Sequence, residues 1–149
     1  MSATHVHLML NHVPVLGAWF GLLLLVAGLG RNNEDFKRAG CVMFIASALF
    51  ALPTYLTGEP AVPQVQGLPG FSGNCVGQHE AVAQLALSVL LVLAGLGGSA
   101  LWFFGKKTIP KWFSFVLVLG AVLSGSLMVW TANLGGQIRH TEIRSQSAP

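Results

Sequence analysis

The chain has 149 residues and a formal charge of +3, with 53% apolar and only 9% charged side chains. Soluble domains carry about a quarter charged residues, so a soluble globular domain is excluded. The eight Lys and Arg are set among long apolar runs and read as membrane topology, which excludes nucleic acid as a partner.

The first seven residues, from Met1 to His7, lack the basic segment that opens a cleaved signal peptide. A helix needs roughly 20 apolar residues to cross the hydrocarbon core, and four segments meet that length: 11–30, 36–57, 79–104 and 112–134. Stop signals follow each in turn. Arg31 to Asp35 ends the first, Gly58-Glu59-Pro60 the second, Gly105-Lys106-Lys107 the third and Gly135-Gly136 the fourth. Pro53 removes a backbone donor and is expected to kink the second helix. The intervening 58–78 is expected to be a loop on the outer side, and 141–149 a flexible tail.

The loops set the orientation. Arg31, Lys37 and Arg38 mark the first loop, and Lys106, Lys107 and Lys111 the third, whereas 58–78 has no Lys or Arg. By the positive-inside rule the first and third loops are cytoplasmic, against the weaker signal of Arg139 and Arg144 on the tail. The expected fold is therefore an all-α integral membrane protein. It is one domain over residues 1–149, a four-transmembrane-helix bundle with both termini outside, in a bacterial inner membrane. Small residues at Gly17/Gly21, Ala94/Gly98 and Gly120/Ser124 are expected to let helices approach closely. The first and third spans both begin with His at the outer face and lead into a basic turn, a faint parallel two-plus-two pattern.

All five histidines, His5, His7, His12, His79 and His140, fall on the outer side in this topology. Ionisable groups at membrane depth are costly and mark candidate sites, although a single interfacial His is adequately explained by headgroup or backbone hydrogen bonds. Asn11 can cap the first span at His12, and Glu80 beside His79 suits a helix N-terminus. A b-type haem needs two axial ligands projecting from facing helices. His12 with His79 suits that need, with His140 as competing partner and His7 as a further candidate. Zinc or copper could use the same imidazoles with Glu59, Glu80 or Cys75.

Cys75-Val76-Gly77-Gln78-His79 resembles the C-x-x-C-H attachment site of c-type cytochromes, with Gln78 in place of the second cysteine. That resemblance implies a single thioether at Cys75 and His79 as proximal ligand; an unmodified cysteine beside an interfacial His is the plain alternative. The whole chain resembles a family of small, largely uncharacterised four-span bacterial membrane proteins. The likeness is carried by His7-x-x-x-x-His12-x-Pro14, Thr57-Gly58-Glu59, His79-Glu80 and Gly135-Gly136. Val13 stands where that family has an aromatic, and its Tyr after the glycines is absent. The resemblance implies architecture, not an activity.

Three functions remain open on the sequence. The first is a haem-binding electron-transfer subunit near the outer face, linking quinol with a periplasmic redox partner. The second is a non-catalytic anchor packed in a larger complex. The third is a zinc- or copper-binding protein. The stretches around Gly21–Val26 and Leu87–Leu93 hold nothing ionisable, which argues against transport. No Ser-His-Asp set, phosphate loop or paired carboxylates point to catalysis.

Overall fold

The structure, a computed structural model, describes residues 2–144. Five α-helices, α1 (Ala3–Leu10), α2 (His12–Gly30), α3 (Glu34–Val65), α4 (Gly73–Phe104) and α5 (Lys111–Gln137), are followed by a 3₁₀ turn at Thr141–Ile143. The first two join at Asn11, whose dihedrals (φ −58°, ψ −27°) are themselves helical, so Ala3–Gly30 forms one continuous apolar segment. With it, Glu34–Val65, Gly73–Phe104 and Lys111–Gln137 complete four segments long and apolar enough to cross a membrane. The four-helix membrane bundle expected from the sequence is thus the fold.

The helix ends differ from expectation, and always toward longer helices at one end of the bundle. The first span starts at Ala3, capped by the Ser2 hydroxyl on His5 N–H, so Asn11 is not a cap. The second does not stop at Gly58-Glu59-Pro60 but runs through Pro53, Pro60 and Pro63 to Val65. Near Pro53 the Thr54 and Thr57 hydroxyls donate back to the carbonyls of Phe50 and Pro53 (2.8 and 2.7 Å). Such back-bonding is a common local arrangement in apolar helices. The third opens at Gly73, where the Ser72 hydroxyl caps Cys75 N–H, and not at His79. The fourth passes through Gly135-Gly136 to Gln137. What was expected to be the loop 58–78 is reduced to residues 66–72. There Gly70 adopts φ +79°, and a Cβ at that position would lie 2.6 Å from the Arg139 carbonyl.

The long helices form a closed ring in which α2 packs on α3, α3 on α4, α4 on α5 and α5 back on α2. Small residues set the close approaches. Gly21 lies against the ring of buried Phe44, and a Cβ on Gly40 would come within 2.8 Å of the Gly21 carbonyl. On α4 the contact is at Gly97, against the Cys41 backbone, one position from the expected Gly98; on α5 it is Gly125, under the Trp19 ring. Large apolar side chains such as Phe20, Leu23, Leu119 and Trp130 face outward, as a bilayer requires. Trp102, Phe103 and Trp112 are exposed beside Lys106 and Lys107, where an aromatic belt belongs.

The buried faces repeat along the chain. Pro14, Ala18, Gly21, Leu25 and Gly28 on α2 are buried, and so are Ala86, Leu90, Leu93, Gly97 and Ala100 on α4. Each pair sits at one constant offset. A second constant offset relates α3 to α5, pairing buried Lys37 with Ser114, Gly40 with Leu117, Phe44 with Ala121, Ser47 with Ser124 and Ala51 with Met128. The two halves, α1–α2–α3 and α4–α5, thus repeat one pattern of buried positions, in line with the faint two-plus-two pattern.

The end that carries the basic loops is clasped shut. Glu34 accepts from the Lys37 ammonium (2.7 Å) and from the Ile109 N–H (2.9 Å), and the Arg38 guanidinium donates to the Lys107 carbonyl (2.6 Å). Lys37 is buried in this clasp and is not a free loop charge.

Candidate functional site

At the opposite end the helices part around a cleft of about 1330 Å³, lined by all five helices. It is larger than the roughly 300–1,000 Å³ of ordinary small-molecule sites. Its walls are mainly apolar, with Val15, Leu87 and Met128 toward the bundle interior.

Two histidines face this space from the two repeats. His7, on α1, places Nδ1 2.8 Å from the Thr54 carbonyl of α3. His79, on α4, places Nδ1 2.9 Å from the Thr131 carbonyl of α5. A carbonyl can only accept, so each Nδ1 carries the hydrogen and donates it. This tautomer leaves Nε2 as the ring atom available to bind a metal. A ring held by one nitrogen on a carbonyl is the usual arrangement of a metal-ligating histidine. The two rings lie with centroids 6.3 Å apart and planes crossed at 78°.

The repeat extends to this detail. His7 and His79 stand at the same offset as the buried faces of α2 and α4; Thr54 and Thr131, and Gly58 and Gly135, stand at that of α3 and α5. Each glycine lies one helical turn after its threonine, against the imidazole. A Cβ on Gly58 would meet His7 Cε1 at 3.5 Å, and one on Gly135 would meet His79 Cε1 at 3.1 Å. The motif Ser-x₆-Thr-x₃-Gly at Ser47/Thr54/Gly58 and again at Ser124/Thr131/Gly135 was the sequence signal for these partners. It goes unread because Ser, Thr and Gly are common in membrane helices.

The other candidates are placed differently. His12 lines the cleft from α2 but is exposed and makes no contact with His79 comparable to that of His7. His140 lines the rim and is exposed; its Nδ1 lies 2.8 Å from Glu142. Hydrogen bonds from the Glu142 backbone N–H and from His140 hold that carboxyl below its usual range. His5 is exposed and does not line the cleft. Cys75 lies in the first turn of α4, not in a loop, and is buried outside the cleft lining. Of the expected candidates, the structure therefore brings His7, and not His12, beside His79. The reason is the longer first helix, which starts at Ala3 and packs the turns that carry His7 against α3.

Polar groups complete the lining. Asn11 points Oδ1 to a buried position without a hydrogen-bond partner. Glu59 and Glu80 line the crevice between α3 and α4 together with Val62 and Val76. Neither glutamate sits at a helix end, so Glu80 does not open a helix as expected. Arg139 lines the cleft just beyond α5. The expected tail, 141–149, begins here with the 3₁₀ turn at Thr141–Ile143. Arg144 donates to the carbonyls of Gln137 (2.7 Å), Ile138 (3.0 Å) and Gly70. The remainder of the expected tail, 145–149, lies outside the described residues. Among the described residues no group of three or more His, Cys, Asp or Glu could hold a metal ion.

Comparison with protein-family models, with curated proteins and with solved structures found no match to this chain.

Proposed function

We propose that the cleft holds a haem between His7 and His79, and that the protein is an electron-transfer subunit of a membrane redox complex. The observation that carries this reading is the spacing of the two anchored imidazoles. A metal–nitrogen bond of about 2.0–2.1 Å, with each ring centroid roughly 1.1 Å behind its nitrogen, would put two rings about 6.3 Å apart if they held one ion from opposite sides. The observed separation is 6.3 Å. The donor set also fits: His7 and His79 would suffice to hold a haem iron, whereas a closed zinc site takes four protein ligands. The cleft volume and its apolar inner wall suit a flat macrocycle.

Haem so bound would supply one-electron transfer. The chain's own residues hold and orient it. The Thr54 and Thr131 carbonyls fix both rings with Nε2 free, Gly58 and Gly135 leave room behind them, and Val15, Leu87 and Met128 exclude water. A b-type, non-covalent haem is favoured over a thioether at Cys75, since that thiol lies outside the lining. The excess of Lys and Arg in the opposite loops supports placing the cleft at the periplasmic face of a bacterial inner membrane, with both termini outside. From there it would serve a quinol on one side and a periplasmic redox subunit on the other.

The test is a reduced-minus-oxidised spectrum of protein purified from haem-replete cells. A Soret band with sharp α and β bands on reduction is expected. No Soret band would refute the reading. If metal analysis of that sample found copper or zinc instead, the imidazole pair would belong to the metal-binding alternative.

A further inference from the structure

The turn between α4 and α5, at the end of the bundle opposite the cleft, carries positive charge that the fold leaves unused. Lys106, Lys107 and Lys111 stand close together there, and no Asp or Glu occurs anywhere in 81–141. Glu34, which reaches this turn from α3, is already engaged by the Lys37 ammonium and the Ile109 N–H. Among the described residues the ion pairs are Lys37–Glu34 and His140–Glu142, so none of the three lysines is neutralised. The backbone of the turn is nonetheless pinned. The Lys107 carbonyl accepts from Arg38 (2.6 Å), and the Ile109 side chain is fully buried. The lysines thus project from a fixed platform with their ammonium groups free. Trp102 and Trp112 flank them, 84% and 66% exposed. Trp112 is braced edge-on against Phe113, which meets Phe104 in the same way.

We propose that this turn binds an anionic phospholipid. Lys106, Lys107 and Lys111 surround the headgroup phosphate, and Trp102 and Trp112 lie against the glycerol and the upper acyl chains. Exposed indoles at the end of a membrane-spanning helix sit at headgroup level, which sets the neighbouring lysines against the phosphates. A soluble anion would use the lysines but not the tryptophans, and a zwitterionic lipid the tryptophans but not the net charge. An anionic lipid uses both. The site is remote from the histidine cleft and does not depend on the haem reading.

The experiment measures lipid binding to the detergent-purified full chain by native mass spectrometry. Dioleoylphosphatidylglycerol and dioleoylphosphatidylcholine share their acyl chains and differ in headgroup charge. A basic side chain near an anionic headgroup is worth about fivefold in affinity. The wild type should therefore prefer phosphatidylglycerol by about 25-fold or more. Lys106→Gln/Lys107→Gln should lose about 25-fold in phosphatidylglycerol affinity with phosphatidylcholine unchanged. Both side chains are exposed, and glutamine keeps the carbonyl that Arg38 binds. Trp102→Ala/Trp112→Ala should weaken both lipids alike and leave the preference in place. Arg139→Gln, at the other end of the bundle, should change neither affinity. Equal affinities for the two lipids in the wild type would overturn the assignment. So would an undiminished preference in the lysine variant, or an equal loss in Arg139→Gln.

Discussion

Replacing Gly135 or Gly58 by Ala separates the histidine site from the fold. Both glycines are helical, so Ala by itself is worth about 0.5–1 kcal/mol of added helix stability. They differ in what the new methyl meets. At Gly58 it lies 3.5 Å from His7 Cε1 and 3.7 Å from Nδ1, ordinary van der Waals contact. At Gly135 it lies 3.1 Å from His79 Cε1 and 3.3 Å from Nδ1, so the ring must move by a few tenths of an ångström. His79 borders an open cleft and can tilt into it. The move strains its 2.9 Å bond to the Thr131 carbonyl and shifts Nε2. Ligating groups need placing within about 0.5 Å, and disturbing the partner of a ligating His typically costs about 10–100-fold in affinity. We expect Gly135→Ala to weaken haem binding about tenfold, at the mild end of that range, without lowering the melting temperature, and Gly58→Ala to change affinity less than about twofold. Soret titration in detergent with a parallel thermal melt checks both. Unchanged affinity in Gly135→Ala would refute the role assigned to the His79 ring position. A lowered melting temperature would refute the claim that the ring has room to yield.

Glu34→Ala should lower stability by about 3 kcal/mol, because it strands a buried ammonium and the Ile109 N–H. Melting at a fixed scan rate should fall by about 6–12 °C, and Glu34→Ala/Lys37→Met should recover most of the loss. Gly40→Ala should destabilise by about 1–3 kcal/mol, since its Cβ meets the Gly21 backbone carbonyl, which cannot swing away; the same melt measures it. Cys75→Ala should leave porphyrin affinity unchanged, and a denaturing gel should show no haem-stained band, because the thiol is buried outside the cleft.

The four spans are legible in the sequence because twenty apolar residues without charge leave the chain few choices. Their outer ends are not. Gly58-Glu59-Pro60 reads as a stop by soluble-protein rules, yet α3 continues through Pro60 and Pro63 to Val65. Proline removes one donor per site, and at an exposed end the freed carbonyl can be solvated. The consequence reaches the site. His7 looks like part of a loose terminus until α1 is seen to pack on α3, with Thr4 donating to Gln64 at 2.8 Å. The histidines themselves were apparent as a group, whereas their pairing was not. Pairing depends on which carbonyl each ring reaches, and the repeated Ser-x₆-Thr-x₃-Gly that carries Thr54 and Thr131 is built of residues too common in membrane helices to stand out.

The central claim is that His7 and His79 ligate one iron together, and electron paramagnetic resonance of the ferric, haem-loaded protein tests it most directly. The wild type, His12→Ala and His140→Ala should all give the low-spin signal of two axial imidazoles. His7→Ala and His79→Ala should each lose it and turn high-spin. A low-spin signal that survives His7→Ala but disappears in His12→Ala or His140→Ala would contradict the pairing.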